Sequence, residues 1–415
     1  MSSFATLQLA SPILTAISEL GYDTPTPVQT QAIPEILAGK DVLAGAQTGT
    51  GKTAAFALPL LTRLLESPRA QNKRPSALIL APTRELADQV ATSIQRYAAN
   101  TELTTLAVYG GVSQNPQTEA LGQGVDILVA TPGRLLDLLN QKALELSAVR
   151  WLILDEADRM LDLGFKEELI RLLKQLPKDR QTLFFSATFP KSVKDLAYSM
   201  LKQPVEIAVA ADNAPIDSIE QVVYNMDNNK KRAALAWLIG SGNWQQVLVF
   251  VRTKQQADDL ANELKKDGIK CDSLHGDKSQ GARTRALDDF KAGKVRALIA
   301  TDVAARGIDI LELPWVVNYE LPFQAEDYVH RIGRTGRAGN SGKAISFVSR
   351  KEEYLLADIE TLIKRVLPTQ WLVGFEPNFD EPDGGENHGR NLRKQRQKAK
   401  KKAKAQATYG IKKSR

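Results

Sequence analysis

The sequence has little cysteine, little histidine and no long apolar run. Cys271 is the single cysteine, so no intramolecular disulfide can form, and the three histidines lack the spacing of a metal site. No basic residue precedes Lys40, and the long apolar stretch beyond it is broken at Pro59. These absences argue against a secretory signal and a membrane span, so we expect a cytoplasmic chain that contacts no membrane.

Acidic residues are missing from one end of the chain. From His388 to Arg415 there are 12 Lys or Arg and no Asp or Glu, while the other residues include 43 basic and 48 acidic ones. The formal charge of +7 therefore hides a mildly acidic body with a basic tail. Because apolar residues are scarce after Gly374, we expect residues 374–415 to form a disordered tail. This tail either attracts nucleic acid without specificity or serves only as a solvated segment.

A glycine-rich segment carries the clearest chemical signal. Residues 46–53 read Ala-Gln-Thr-Gly-Thr-Gly-Lys-Thr and lie between an apolar run at 42–44 and a helix-forming run at 54–65. The N–H groups of such a loop and of the helix that follows it surround phosphates. We expect Lys52 to contact the β- and γ-phosphates of a nucleotide and the hydroxyl of Thr53 to bind Mg²⁺.

Short apolar runs alternate with helix-forming stretches over most of the chain. Buried parallel strands read as continuous apolar runs, so the pattern predicts an α/β protein with two parallel sheets. We expect one domain at 1–209, a linker at 210–218 and a second domain at 219–373. The predicted strands are 42–44, 77–80, 104–109, 126–130, 151–154, 182–185, 205–209, 221–224, 247–251, 271–274, 297–300, 315–318 and 344–348.

Polar clusters follow most of these strands, at the edge where open α/β sheets bind ligands. Asp155 and Glu156 come directly after the apolar run 151–154. Asp155 is a hard oxygen ligand suited to Mg²⁺, and Glu156 could polarise an attacking water. The alternative is that the pair only begins the following helix.

Two further segments have functional interpretations. The prolines of 21–29 predict a stiff, irregular loop that could present Gln29 to the edge of an adenine, although a plain loop explains the pattern as well. Residues 330–337 hold three arginines spaced by glycines. Arginines in this arrangement suit the charge of phosphoryl transfer, and a solvated basic turn is the alternative.

Eight motifs occur in the order of the DEAD-box ATP-dependent RNA helicases, and the chain resembles this family over about residues 4–367. The overall likeness is greatest to the bacterial RhlE-type group. The motifs are Pro-Thr-Pro-Val-Gln (25–29), the glycine-rich loop (46–53), Pro-Thr-Arg-Glu-Leu-Ala (82–87), Thr-Pro-Gly-Arg (131–134), Asp-Glu-Ala-Asp (155–158), Ser-Ala-Thr (186–188), Ala-Arg-Gly-Ile-Asp (305–309) and His-Arg-Ile-Gly-Arg-Thr-Gly-Arg (330–337).

The resemblance implies two tandem RecA-like domains, with ATP and Mg²⁺ as cofactors. The implied ATP contacts, with the adenine-reading segment at 4–29, are Phe4, Tyr22, Gln29, Ala46, Gln47, Thr48, Gly49, Thr50, Gly51, Lys52, Thr53 and, at the ribose, Asp309. Thr53 and Asp155 would hold the metal, and Glu156 would be the catalytic base. The other implied catalytic residues are Lys52, Asp155 and the arginine fingers Arg334 and Arg337.

The resemblance also implies an RNA-binding surface and a set of residues that couple hydrolysis to domain closure. The implied contacts to the RNA backbone are Pro82, Thr83, Arg84, Gly111, Thr131, Arg134, Arg252, Thr301 and Arg306. The implied coupling residues are Asp158, Ser186, Thr188 and His330.

The expected activity is RNA-stimulated ATP hydrolysis that opens short duplexes locally, without sequence preference. An ATP-gated RNA clamp or assembly scaffold, in which unwinding is incidental, is the alternative, and a DNA helicase is a third hypothesis. We expect a monomer that acts on structured RNA, with partners in ribosome assembly or RNA decay.

Overall fold

The structure is a computed structural model that describes residues 3–45, 50–67, 74–208, 219–305, 313–336 and 342–378. The chain forms two compact units, each built around one parallel seven-stranded sheet. The predicted α/β architecture with two sheets is therefore confirmed. The predicted linker and the tail beyond residue 378 lie outside the described residues, so the predicted domain boundaries stay predictions.

The first unit has the strand order β3-β4-β2-β5-β6-β1-β7. It opens with a 3₁₀ helix at Phe4–Leu7. Its strands are β1 Val42–Gly45, β2 Ala77–Leu80, β3 Thr105–Val108, β4 Ile127–Ala130, β5 Trp151–Leu154, β6 Gln181–Ser186 and β7 Val205–Ala208. Its helices are α1 Ser11–Glu19, α2 Pro27–Leu37, α3 Lys52–Glu66, α4 Arg84–Tyr97, α5 Asn115–Gln123, α6 Pro132–Asn140, α7 Ala157–Asp162, α8 Lys166–Leu173 and α9 Lys191–Met200.

The second unit has the strand order β10-β11-β9-β12-β13-β8-β14. A 3₁₀ helix at Arg350–Glu352 precedes its last helix. Its strands are β8 Glu220–Asn225, β9 Val247–Val251, β10 Cys271–Leu274, β11 Ala297–Thr301, β12 Trp315–Asn318, β13 Lys343–Val348 and β14 Thr369–Gln370. Its helices are α10 Lys231–Ser241, α11 Lys254–Lys266, α14 Ala325–Ile332 and α15 Glu353–Ile363. Along the chain, helix α12 Gln280–Lys291 follows β10, and helix α13 Asp302–Ala305 follows β11.

Strand β2 shows why the apolar runs are continuous. Ala77 and Ile79 belong to the apolar cluster on one face of the sheet, whereas Leu78 and Leu80 belong to the cluster on the other face. All four side chains are buried, since helices cover both faces. Burying a leucine or isoleucine side chain contributes about 1.5–3 kcal/mol, so these short strands hold the sheet through packing on both sides.

The structure corrects two sequence predictions. Helix α2 begins at Pro27 and places Gln29 in its first turn, not in an irregular loop. Proline lacks an N–H, but the first residue of a helix needs none, so the second proline of the segment starts the helix. The sequence also gave no sign of β14, a two-residue strand that pairs with β8.

Among the described helices, none combines the length and apolar character required to cross a bilayer.

Candidate functional site

The carboxyl ends of three neighbouring strands bring the predicted nucleotide residues together. Strands β5, β6 and β1 are adjacent and parallel in the first sheet. Asp155 follows β5, Ser186 ends β6, and helix α3 begins at Lys52 after the glycine-rich loop that follows β1. This is the edge at which open α/β sheets bind ligands.

Lys52 and Asp155 are buried polar groups with unsatisfied atoms. Lys52 is 5% exposed and Asp155 2%. Neither Lys52 Nζ nor Asp155 Oδ1 has a hydrogen-bond partner among the residues that the structure describes. Leaving such atoms without partners costs about 1–3 kcal/mol each, and more for charged groups. Two buried polar atoms of opposite charge thus have hydrogen-bonding capacity left at this edge of the sheet.

Burial dominates the electrostatics of Asp155. Desolvation raises the pKa of its carboxyl from 3.8 to about 6, against the attraction of Lys52. The negative charges of Glu156 and Asp158 add to this increase. A cation beside Asp155 would favour its ionised form, which is the form that binds Mg²⁺.

Glu156 has an unusual backbone conformation for a glutamate. Its φ of 49° and ψ of 53° lie in the left-handed region, and the side chain is 7% exposed. It precedes α7, but its side chain makes no capping hydrogen bond. The interpretation of Glu156 as a helix cap is therefore wrong for its side chain. Left-handed conformations of residues other than glycine cluster at functional sites.

Asp158 joins two of the predicted coupling segments. Its Oδ2 accepts hydrogen bonds from Thr188 N and Thr188 Oγ1, both at 2.9 Å. Ser186 Oγ accepts from Asp158 N at 3.3 Å and donates to Thr188 O at 2.8 Å. The residues following β5 and β6 thus form one polar cluster. If one of these segments moves, either the other segment moves with it or the hydrogen bonds between them break.

Gln29 contacts the backbone beside the glycine-rich loop. Its Nε2 donates to Gly51 O at 3.1 Å, and its Oε1 accepts from Thr26 N at 2.9 Å. Gly51 has a φ of +89°, and the Gln29 amide occupies the space that a Cβ at this position would need. Each end of the amide retains capacity for a second hydrogen bond, so these contacts leave it able to bind a base edge.

The other two predicted adenine contacts have different environments. Phe4 is 4% exposed and belongs to the apolar core. Tyr22 is 39% exposed, its ring meets that of Tyr97 edge-on at 6.0 Å, and the two hydroxyl oxygens lie 3.3 Å apart. A role for either aromatic at the base stays a prediction.

Predicted RNA contacts of the first unit meet at the ends of strands β2, β4 and β3, which are also neighbours. Thr83 caps α4 by accepting from Leu86 N at 3.3 Å. Gly111 has a φ of +79°, and the guanidinium of Arg84 lies where its Cβ would be. Pro82 and Thr131 are buried at the same strand ends.

In the second unit, Arg252 directly follows β9 and belongs to a buried ionic network. Its Nε donates to Leu321 O at 2.7 Å, and its Nη2 donates to Glu352 Oε1. Lys231, which is fully buried, donates from Nζ to the other oxygen of Glu352 at 2.5 Å. Burial lowers the pKa of Lys231, while the pKa of Glu352 is also lowered because the two cations outweigh its burial.

Two family models match the chain, and together they cover most of both units. A model described as DEAD/DEAH box helicase matches residues 26–196, and one described as helicase conserved C-terminal domain matches residues 230–339. The RNA helicase CrhR of Synechocystis is 44% identical over 365 residues, which are 88% of this chain and 73% of that protein. This chain belongs to the DEAD-box helicase family.

Other relatives agree with this assignment. The DEAD-box ATP-dependent RNA helicase CshA of Bacillus subtilis is 40% identical over 92% of this chain and 76% of its own. The structure of S. cerevisiae Dbp5 bound to RNA and ADP BeF3 has a TM-score of 0.80 at 34% identity, covering 91% of this chain and 96% of that one. The predicted pair of RecA-like domains is therefore confirmed. The RhlE-type subgroup stays a prediction.

In this DEAD-box helicase, the first arginine of the 330–337 motif is buried and makes several hydrogen bonds. Arg331 is 1% exposed and binds both carboxylate oxygens of Asp302, at 2.6 and 2.7 Å. Its Nη1 donates to Asn318 Oδ1 and to Glu320 O. Arg331 therefore joins α14 to the start of α13 and does not face solvent as a basic turn would. The sequence signal that could have found this role is the Asp-Val-Ala-Ala segment directly after β11.

The remaining predicted residues divide into those described and those not. Arg334 is 4% exposed, Thr301 is buried at the end of β11, and His330 is half-buried on α14. Thr50 and Thr53 flank the start of α3. The predicted contacts that lie outside the described residues are Ala46, Gln47, Thr48, Gly49, Arg306, Asp309 and Arg337.

Proposed function

We propose that this chain is an ATP-dependent RNA helicase that hydrolyses ATP in response to RNA and opens short duplexes locally, without processive travel. The observation that carries this proposal is the pair of unsatisfied, buried atoms Lys52 Nζ and Asp155 Oδ1 at the edge of the first sheet. Support also comes from CrhR and CshA, which are named RNA helicases, and from Dbp5, whose structure contains RNA and a nucleotide.

The donor set fits a nucleotide with Mg²⁺. Lys52 is a buried basic residue at the first position of α3, and the N-terminus of a helix is a favourable place for phosphates. Thr53 and Asp155 would hold Mg²⁺, which prefers hard oxygen ligands and retains several waters. The described residues contain no group of three or more His, Cys, Asp or Glu side chains that could hold a metal alone, so the phosphates and water would complete the set. The ion would neutralise negative charge on the phosphates.

The residues next to this site supply the chemistry. Glu156 orients the attacking water and accepts its proton, and the buried surroundings strengthen that interaction. Gln29 reads the adenine edge, Asp309 contacts the ribose, and Arg334 and Arg337 stabilise the charge that develops during phosphoryl transfer. Each of these roles rests on the family resemblance.

RNA binding and hydrolysis are coupled in this proposal. ATP and RNA each favour the same closed arrangement of the domains, so each increases the affinity for the other. The Asp158–Ser186–Thr188 cluster links the residues after β5 to those after β6 and suits transmission of this change. His330 belongs to the same predicted coupling set. We also propose that the chain acts as a cytoplasmic monomer, a compartment that suits its single cysteine.

The test combines RNA-stimulated ATPase and strand-displacement assays on the full chain. We expect wild-type hydrolysis to rise with RNA and not with DNA of matched sequence, because the 2′-OH identifies RNA. Glu156→Gln should bind ATP but lose turnover by about 100-fold or more. Glu167→Gln, an exposed carboxylate on α8, is the matched control and should retain full activity.

Each contrary outcome has a defined meaning. ATPase activity that ignores RNA would overturn the proposal. Stimulated ATPase without strand displacement would instead favour an ATP-gated clamp or scaffold. Equal stimulation by DNA would refute the 2′-OH argument and favour a DNA helicase.

A further inference from the structure

The loop between β3 and α5 is fixed by a side chain that no motif includes. Gln117 lies on α5 and is 8% exposed. Its Oε1 accepts a hydrogen bond from Tyr109 N at 3.2 Å, and its Nε2 donates to Tyr109 O at 3.1 Å. The amide thus satisfies both backbone groups of the first residue after β3, as a neighbouring strand would.

The same amide holds an arginine that fixes the far side of the loop. Arg134 Nη1 donates to Gln117 Oε1 at 3.1 Å, and Arg134 Nη2 donates to Val112 O at 3.0 Å. Tyr109 and Val112 are therefore both anchored, and only Gly110 and Gly111 lie between them. Two of the three anchoring bonds to the backbone come from Gln117.

The anchored glycines lie among the proposed RNA contacts. Gly111 has a φ of +79°, and the Arg84 guanidinium is placed against its Cα. Thr131 N donates to Val108 O at 3.1 Å, which joins the end of β4 to the end of β3. The Gln117 bonds to Tyr109 and Arg134, together with this backbone bond, thus join the ends of β3 and β4 beside Gly111.

We propose that Gln117 is a positioning residue for RNA, which holds the 109–112 loop and Arg134 in their RNA-binding arrangement before RNA arrives. This inference rests on the proposed function. A loop that is ordered before binding loses less conformational entropy when RNA binds. The effect of Gln117 should therefore be seen in the affinity for RNA. The neutral amide accepts from Tyr109 N and Arg134 while it donates to Tyr109 O, which an ionised carboxylate cannot do because it has no donor.

The test uses the full chain with single-stranded RNA. Gln117→Met should raise the RNA concentration that gives half-maximal ATPase stimulation by about tenfold, while the rate at saturating RNA stays within about twofold of wild type. Gln117→Glu still pairs with Arg134 but cannot donate to Tyr109 O, so its increase should be smaller. Without RNA, hydrogen exchange at the Tyr109 amide should be faster in Gln117→Met, and less so in Gln117→Glu, whose carboxylate can still accept from Tyr109 N.

Gln141→Met is the matched control. Gln141 and Gln114 exchange hydrogen bonds between the end of α6 and the start of α5, and neither bond involves residues 109–112. Loss of the Gln141 amide should change neither the half-maximal RNA concentration nor the hydrogen exchange of the Tyr109 amide. Unfolding curves in urea identify any variant that fails to fold. If Gln117→Met does not fold, Gln117→Glu still provides the test.

The outcomes separate this inference from the proposed function. Unchanged RNA dependence and exchange in both Gln117 variants would overturn the positioning role. A lower saturated rate with an unchanged half-maximal concentration would also overturn it, since the residue would then act on chemistry or general stability. Absence of RNA stimulation in the wild type would reject the proposed function itself.

Discussion

Replacing Asp155 with asparagine is expected to stabilise the nucleotide-free protein at neutral pH, although it removes a proposed metal ligand. Burial raises the pKa of the Asp155 carboxyl from 3.8 to about 6, and Lys52 only partly opposes this effect. The folded state therefore binds the proton more tightly than the unfolded state. The stability from this group is complete below about pH 4 and is lost as the pH rises through about 6.

The magnitude follows from the two pKa values. Each pH unit between them corresponds to about 1.4 kcal/mol, so ionised Asp155 costs about 3 kcal/mol at neutral pH. Because the carboxyl is fully buried, solvent screening does not reduce this figure much. Asparagine has nearly the same shape and stays neutral, so Asp155→Asn removes this cost.

The assay is urea unfolding at pH 4, 6 and 8 in the presence of EDTA and without nucleotide. Hydrogen exchange of the β5 peptide assigns the transition to the first unit. The free energy of unfolding of Asp155→Asn, relative to wild type, should rise by about 2–3 kcal/mol between pH 4 and pH 8. The rise should be nearly complete by pH 7.

Asp41→Asn is the matched control with the opposite expected sign. Asp41 is also a buried carboxylate of the first unit, but it accepts from Thr182 N at 2.8 Å and from Lys202 N at 2.7 Å. An amide would lose one of these charged hydrogen bonds, at a cost of about 1.5–3 kcal/mol. A stability difference for Asp155→Asn that does not vary with pH, or a loss at pH 8, would refute the electrostatic reasoning.

Three further predictions concern other parts of the chain. Gly51→Ala should weaken binding of a fluorescent ATP analogue by about tenfold, because the new Cβ collides with the Gln29 amide. Gly39→Ala is the control, with a similar φ but open space around it, and should leave nucleotide binding unchanged. Lys231→Met leaves a buried carboxylate undercompensated and should lower the free energy of unfolding by about 3 kcal/mol in urea titrations; a loss below about 1 kcal/mol would contradict this. Ending the chain near Asp380 should weaken RNA binding and flatten its salt dependence while saturated ATPase persists; an unchanged salt slope would show that the tail does not bind RNA.

The sequence predicted the fold well because its signals were local. Runs such as 77–80 and 247–251 are apolar throughout, which indicates strands buried on both faces, and both formed as predicted. Strand β14 was missed because a strand of two residues is too short to show a hydrophobic periodicity. Gln29 was assigned to a loop because proline was taken to exclude a helix, whereas at the first helical position it favours one.

Residues within the same motif could not be ranked from the sequence. The motif shows three similar arginines, and only the structure shows that Arg331 pairs with Asp302 through two short hydrogen bonds. Gln117 carries no motif and was not singled out, although it makes three hydrogen bonds at the predicted RNA-binding edge.

By itself, the sequence determined the alternation of strands and helices, the glycine-rich loop before Lys52 and the carboxylates after β5. These features depend on residues adjacent along the chain. Only the tertiary structure decided that Gln29 meets Gly51, that Lys231 meets Glu352 and that Gln117 meets Arg134. Such pairs form where the fold brings distant segments together, and burial then favours a partner for each polar group, with Lys52 Nζ and Asp155 Oδ1 as exceptions at the proposed nucleotide site.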